Sequence, residues 1–134
     1  MNMIFSSFIS TFLTMLIIDG VWLSTMSKRF YAFHLKSLMA PSPDFVPAAI
    51  FYLISAIGVT AFIVLPAVRN GDSLLRVFLF GALFGLVCYA TYDLTNQATL
   101  RGWPVIVTLV DLLWGTLCTG TVGIVAVLIA RRFI

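Results

Sequence analysis

The scarcity of charge is the first feature of this sequence. Only 10% of its 134 residues are charged, none is glutamate, and 61% are hydrophobic. A soluble domain is usually about 25% charged, and so few charges cannot cover a surface that faces water. The sequence therefore predicts a protein whose surroundings are mostly the hydrocarbon of a lipid bilayer.

Other scarce residues exclude several kinds of site. The two cysteines, Cys88 and Cys118, are too few for a disulfide framework, and we expect both to be small buried packing residues. His34 is the only histidine, and we find no metal-ligand spacing, phosphate-binding loop or nucleophile motif. No basic stripe is present, so we expect no nucleic-acid partner. Aspartates with one distant histidine are a poor set of zinc ligands, so we expect no metal, although an oxygen-rich site for a hard cation stays open. The sequence identifies neither a cofactor nor a catalytic residue.

Four long hydrophobic segments run through the chain. They cover about residues 3–26, 47–68, 74–98 and 104–130, and each is long enough to cross a hydrocarbon core of roughly 30 Å as a helix. The joints after the second and third segments are short, so consecutive helices should be antiparallel neighbours. We expect an all-α protein, a single transmembrane domain over residues 1–134 that forms an integral-membrane four-helix bundle.

The joint between the first and second spans is longer, basic and aromatic. Phe30, Phe33, His34 and Leu38 recur near helical spacing, which predicts an interfacial helix or loop that ends at Pro41. This segment is interpreted either as an amphipathic anchor or as a lid over a site.

The basic residues do not determine how the chain is inserted. We call the side with both termini the terminal face and the opposite side the loop face. The basic residues of the terminal face are Arg69, Arg76, Arg131 and Arg132. Those of the loop face are Lys28, Arg29, Lys36 and Arg101. Because the counts are equal, the positive-inside rule gives no orientation, and dual insertion with an antiparallel homodimer stays open.

Three aspartates, Asp19, Asp93 and Asp111, lie inside hydrophobic segments. Each costs about 2.5–3.5 kcal/mol near a helix centre on the insertion scale, whereas a leucine returns only about 0.5 kcal/mol. A carboxyl group that faces lipid gains nothing for this cost, so we expect all three to face the bundle interior. Counted from the predicted helix ends, each lies roughly 7–11 Å below the loop face. The sequence thus predicts one layer of carboxyl groups, with interhelical hydrogen bonding as the structural alternative.

Polar and aromatic residues accompany these carboxyl groups at helical spacing. The residues expected to line a ligand- or proton-binding site beside the aspartates are Tyr89, Asn96, Gln97, Arg101, Trp22 and Trp114. Desolvation and like-charge repulsion both favour the neutral acid, so we expect at least one carboxyl group to be protonated at neutral pH. Its expected hydrogen-bond partners are Tyr89, Asn96 or another aspartate, and Arg101 is the expected counter-ion.

Two short patterns concern how the helices pack. Asp19-Gly-Val-Trp22 and Asp111-Leu-Leu-Trp114 repeat one arrangement on helices expected to run in opposite directions, which resembles a trace of an inverted repeat. Gly81 and Gly85 form a small-xxx-small pair, which predicts close helix packing rather than a ligand site.

Four stretches carry a resemblance to a known family. They are IDGVWL at 18–23, AIFYLISAIGVTAFIVLPA at 49–67, YATYDLTNQATLRGWP at 89–104 and VDLLWGT at 110–116. With these stretches the chain resembles, over nearly its whole length, the bacterial membrane family called domain of unknown function 2177. The resemblance implies a four-helix protein of the bacterial inner (plasma) membrane. It implies no activity, although it associates the chain with genes for fatty-acid modification and oxidative or light stress.

Three functions are compatible with these features. The first is binding, or proton-coupled transport, of a small cationic or amphiphilic molecule, because a protonatable group can couple cargo to a proton gradient. The second is a membrane-embedded enzyme or accessory protein of lipid or fatty-acid modification, with one aspartate as acid and another as base. The third is a structural partner of other membrane proteins. The expected partners are therefore the lipid bilayer and a small-molecule or lipid ligand.

Overall fold

Four long helices make up most of the protein. The computed structural model describes residues 2–134, and its helices extend over Met3–Leu38, Phe45–Asn70, Leu74–Thr99 and Val105–Arg132. Each is long and apolar enough to cross a membrane, and residues 2–134 contain no β-strand. The predicted all-α membrane fold is confirmed.

Local chemistry explains where three of these helices begin. The side chains of Asn2, Asp44 and Ser73 precede the first, second and third helices, and each accepts a hydrogen bond from a backbone N–H group of the first turn. These caps satisfy N–H groups that have no partner inside the helix. Gly71 and Gly102 have positive φ angles of 66° and 73°, and they allow the sharp turns that end the second and third helices.

The first helix does not stop at the end of the predicted span. It is α-helical over Met3–Met26, forms a π-helical turn at Ser27–Tyr31, and continues through Ala32–Leu35 and Lys36–Leu38. The segment expected at the interface is therefore helical, and it is continuous with the first helix. A π-turn inserts one extra residue into the helical repeat, so it changes the direction in which the following side chains point.

The fourth helix lies at the centre of the bundle, where it packs against each of the other three. Its closest neighbour is the third helix. The two backbones approach so closely that a Cβ atom added to Gly81 would lie 2.9 Å from the Thr119 carbonyl oxygen. A Cβ added to Gly85 would lie 2.6 Å from Thr119 Oγ1 and closer still to the Gly115 carbonyl oxygen. The two glycines thus let the backbones touch, as their spacing predicts.

The surface and the interior divide as expected for a bundle in hydrocarbon. Large apolar side chains such as Phe62 and Leu75 are 72% and 68% exposed, whereas Val59 and Val122 are buried between helices. Cys118 is buried, but Cys88 is exposed, so the prediction that both cysteines are packing residues is wrong for Cys88. The third span is apolar on its lipid-facing side as well as its packed side, so its composition does not show which side a cysteine occupies.

Candidate functional site

All three aspartates of the hydrophobic segments face the bundle interior, as predicted. The exposed fraction is 0% for Asp93, 5% for Asp111 and 8% for Asp19. They come from three different helices, so the chain brings three carboxyl groups into the interior of the bundle.

Asp19 is held by donors from two other helices. The Tyr52 hydroxyl of the second helix donates to its Oδ2 atom. The Trp114 indole Nε1 of the fourth helix donates to Oδ1 at 3.3 Å. Both carboxyl oxygens therefore have a partner, and the first helix is tied to its two neighbours at this level.

Asp111 has a similar environment built from the first helix. The Tyr31 hydroxyl donates to Asp111 Oδ1 at 2.5 Å, and Trp22 Nε1 donates to the Tyr31 oxygen at 3.1 Å. The Trp22 and Trp114 rings stack, with their centroids 4.1 Å apart and an interplanar angle of 7°. The stacked indoles join the surroundings of Asp111 to those of Asp19.

These contacts define what we call the carboxyl–aromatic cluster. Its members are Asp19, Asp111, Tyr31, Tyr52, Trp22 and Trp114. The hydrogen bond between Asp19 and Trp114 places the two aspartates about three residues apart in height, which is about 4.5 Å along a helix. The two carboxyl groups thus lie within one helical turn of the same layer.

Asp93 differs from the other two aspartates. It is fully buried, and neither of its carboxyl oxygens accepts a hydrogen bond from an N–H or O–H group of residues 2–134. The Asp111 carboxyl group is its neighbour across the interface between the third and fourth helices. Asp93 thus has no partner other than the Asp111 carboxyl group, and this contact is favourable only when the two acids share a proton.

The remaining predicted residues lie around the cluster without bonding to it. The Tyr89 ring packs on Gly115, where an added Cβ would lie 2.9 Å from the tyrosine Cβ. Asn96 and Gln97 are partly buried, and Arg101 is exposed. Within residues 2–134, none of these four side chains forms a hydrogen bond or an ion pair with an aspartate; the ion pair there joins Arg76 to Asp72. The expected counter-ion, Arg101, thus lies at the surface, where its side chain reaches water or headgroups.

Two members of the cluster, Tyr31 and Tyr52, were missed by the sequence analysis. Tyr52 lies in a segment read only as apolar, although its hydroxyl needs a partner in hydrocarbon. This need for a hydrogen-bond partner was the signal from which the sequence could have assigned Tyr52 to the site. Tyr31 lies in the basic joint, next to the predicted apolar face of Phe30 and His34. The π-turn at Ser27–Tyr31 directs its hydroxyl inward, and regular helical spacing does not reveal such a turn.

An apolar groove of about 400 Å³ lies beside the cluster. It is formed mainly by the first helix and opens at the surface of the bundle. Its lining residues are Ile17, Ile18, Val21, Trp22, Thr25, Met26 and Trp114. Trp22 and Trp114 belong to both the groove and the cluster, so an apolar chain in the groove would lie against the same rings that contact the buried polar groups.

The described residues offer no ready-made metal centre. No three histidine, cysteine, aspartate or glutamate side chains in residues 2–134 converge closely enough to hold a metal ion. Asp19 and Asp111 instead direct their oxygens at aromatic O–H and N–H groups. The chemistry available to the arrangement is hydrogen bonding, proton exchange and binding of positive charge.

Four membrane-spanning helices with buried acids define this chain as a polytopic membrane protein. The family described as "Predicted membrane protein (DUF2177)" matches residues 4–128. The chain therefore belongs to this family, as its sequence resemblance implies. No curated protein and no solved structure matches the chain.

Proposed function

We propose that this protein binds a cationic amphiphile and exchanges it for protons. The cationic group would lie beside the stacked indoles, within reach of Asp19 or Asp111, and the alkyl chain would lie in the groove that Trp22 and Trp114 line. The bilayer delivers such a ligand laterally, because the groove opens at the surface of the bundle. The proposed location is the bacterial inner membrane.

One observation carries this proposal: within residues 2–134, none of the three buried aspartates has a cationic partner. The ion pair of the described residues joins Arg76 to Asp72 near the terminal face. Buried carboxylates are normally paired with positive charge or neutralised by a proton. A cationic ligand would supply the missing charge, and protons would take its place when the ligand leaves.

The groove supports an amphiphile over a compact cation. Its lining is almost wholly apolar, and an alkyl chain gains about 0.8 kcal/mol for each CH₂ group removed from water. The alkyl chain of a free ligand, however, would otherwise remain in lipid. The groove therefore contributes more to the orientation of the ligand than to its affinity. The charge on the headgroup therefore determines selectivity.

The test compares three ligands of equal chain length: dodecylamine, dodecanol and dodecanoate. Binding to the purified protein in zwitterionic nanodiscs is followed by tryptophan fluorescence, with empty nanodiscs as the blank. Hydrogen bonds to charged groups contribute about 1.5–3 kcal/mol. We therefore expect dodecylamine to bind at least about tenfold more tightly than dodecanol. Equal binding of the amine and the alcohol would reject the proposal.

Matched variants assign the effect to the buried acids. Asp19→Asn and Asp111→Asn should each lose the preference for the amine. Asp44→Asn should keep it, because Asp44 lies in an exposed joint and caps the second helix. In weakly buffered solution, dodecylamine binding should release protons from the wild-type protein. Binding without proton release would retain the site but remove the exchange step.

A further inference from the structure

The half of the bundle nearest the terminal face contains buried hydroxyl groups that the proposed function does not use. We call them the hydroxyl column, and its members are Ser6, Ser7, Ser10, Thr11, Thr14, Thr60 and Thr119. Five of them recur on one face of the first helix at spacings of three and four residues. That buried face continues through Met15 to Asp19.

Part of the column is satisfied by backbone carbonyl groups. The Thr11 hydroxyl donates to the Ser7 carbonyl oxygen at 2.7 Å. The Ser10 hydroxyl lies 3.0 Å from the same oxygen and 3.2 Å from the Ala126 carbonyl oxygen of the fourth helix. Hydrogen bonds within the first helix and to the fourth helix therefore account for the Thr11 and Ser10 hydroxyl groups.

Three hydroxyl groups of the column are not explained in this way. The side-chain oxygens of Ser6, Ser7 and Thr60 have no hydrogen-bond partner among residues 2–134, although these residues are only 3%, 0% and 5% exposed. Burying a hydroxyl group without a partner is unfavourable. Buried polar groups that lack a protein partner are typically satisfied by ordered water.

The orphan hydroxyl groups come from facing helices. Tyr52 bonds to Asp19 across the antiparallel first and second helices. Thr60 is eight residues after Tyr52, which places it level with Thr11, eight residues before Asp19. Thr60 also begins the π-helical turn Thr60–Val64, an irregularity that occurs often at functional sites. Thr60 therefore lies level with the first-helix part of the hydroxyl column, and its π-helical turn contacts the first helix.

We propose that the hydroxyl column binds a chain of ordered water molecules that extends from the terminal face to the level of Thr14, about 7.5 Å from Asp19 along the first helix. Ser7 and Asp19 are twelve residues apart, a distance of about 18 Å along the helix. The groove adjoins the cluster near the loop half of the first helix. The water would thus approach the carboxyl groups from the terminal face, whereas the groove reaches them from the loop half of the bundle.

This inference goes beyond the proposed function, because the column would hold water whether or not an amphiphile binds. If both are correct, the water chain is the route by which a proton released from the cluster leaves toward the terminal face.

Met15 is a natural reporter for this water. It is 7% exposed, and it lies between Thr14 and Asp19 on the buried face. X-ray radiolysis of the protein in nanodiscs generates hydroxyl radicals from water in place, so a buried methionine is oxidised only where water lies beside it. Mass spectrometry should show Met15 oxidation in the wild-type protein. An unmodified Met15 would overturn the inference, since no water would then reach this level.

The variants ask whether the orphan hydroxyl groups hold the water. The double variant Ser7→Ala/Thr60→Val should lower the rate of Met15 oxidation at least fivefold. The control Thr121→Val should leave it unchanged, because the Thr121 hydroxyl is exposed and bonded to the Leu117 carbonyl oxygen. Unaltered oxidation in the double variant would reject the column as the water site.

A folding check and a second variant keep the result interpretable. Removing an unpaired hydroxyl breaks no protein hydrogen bond, so the double variant should retain the wild-type helical circular dichroism. If it does not, the single variant Ser7→Ala should still lower Met15 oxidation by at least twofold, and no decrease would reject the column. If the wild-type protein shows no preference for dodecylamine over dodecanol while its Met15 is oxidised, the proposed function alone is rejected.

Discussion

Replacing Asp93 with leucine should stabilise the protein, whereas the same replacement at Asp19 should destabilise it. Both residues are buried acids in a membrane span, so composition alone predicts the same outcome for both. They differ in their partners. Asp19 accepts two hydrogen bonds from other helices, whereas Asp93 accepts none from an N–H or O–H group of residues 2–134 and has the Asp111 carboxyl group as its neighbour.

The contacts set the expected magnitudes. Leucine and aspartate share the same branched outline at Cγ, so Asp93→Leu introduces little strain. It removes a buried carboxyl group that accepts no hydrogen bond from an N–H or O–H group and lies against a second acid, Asp111, and this should raise the free energy of unfolding by about 1–3 kcal/mol. Asp19→Leu leaves the Tyr52 hydroxyl and the Trp114 N–H group without their acceptor, and this should lower it by about 2–3 kcal/mol. The two variants should therefore differ by about 4 kcal/mol.

Unfolding by sodium dodecyl sulfate in mixed micelles, followed by circular dichroism, measures this difference. Dodecylamine binding by the same samples shows whether the stabilised variant has lost its selectivity, as expected if Asp93 contributes to function. Should Asp93→Leu unfold at a lower detergent fraction than the wild type, the carboxyl group would be a structural contact. The claim that it is retained at a cost in stability would then be refuted.

Three other substitutions address separate contacts. Gly85→Ala should lower the free energy of unfolding by about 3 kcal/mol, because its Cβ would overlap the backbone of the fourth helix; unfolding in mixed micelles measures it. Tyr52→Phe should lower the same quantity by about 1–2 kcal/mol, since it removes a hydroxyl donor to a buried carboxyl group. Arg131→Gln should speed amide hydrogen exchange at residues 71–73, because the arginine Nη2 atom donates to two carbonyl oxygens around that turn.

Each of these substitutions has a matched control in the chain. Gly20→Ala should change the unfolding free energy by no more than about 1 kcal/mol, because nothing lies within 4 Å of its added Cβ. Tyr89→Phe should have little effect, since the Tyr89 hydroxyl makes no hydrogen bond to an aspartate. Arg132→Gln should leave exchange at the turn unchanged. If a control matches its partner, the contact named for that partner is not the cause.

Composition determined the fold because hydrocarbon gives the backbone no partner outside its own helix. The third span was predicted over 74–98 and the helix extends over Leu74–Thr99. The first span was predicted to end at residue 26, yet its helix continues to Leu38. Charges at Lys28 and Arg29 lower the hydropathy there without ending the helix, since a helix can leave the hydrocarbon and continue in the headgroup region.

The burial of the acids was predictable from energy, but their partners were not. An acid in a membrane span is too costly to face lipid, and this reasoning places Asp19 and Asp111 inside without any coordinates. Which donors meet them depends on the rotation of each helix about its axis. The π-turn at Ser27–Tyr31 alters that rotation within the first helix, so Tyr31 reaches Asp111 from a position that regular 3.6-residue spacing assigns to another face.

The repeated Asp-x-x-Trp pattern has a physical explanation in the antiparallel packing of the first and fourth helices. On the first helix the tryptophan lies closer to the loop face than its aspartate, and on the fourth helix the order is reversed. Each indole is thus directed toward the acid of the other helix.

Trp114 donates to Asp19 directly, and Trp22 donates to Tyr31, which donates to Asp111. Because the two indoles stack on one another and each is hydrogen-bonded directly or through Tyr31 to an acid, a change at one carboxyl group should affect the other. We therefore expect Asp19→Asn and Asp111→Asn to be non-additive in their effect on unfolding, with a coupling of about 0.5–3 kcal/mol in a double-mutant cycle. Strict additivity would mean that the two acids act as independent sites.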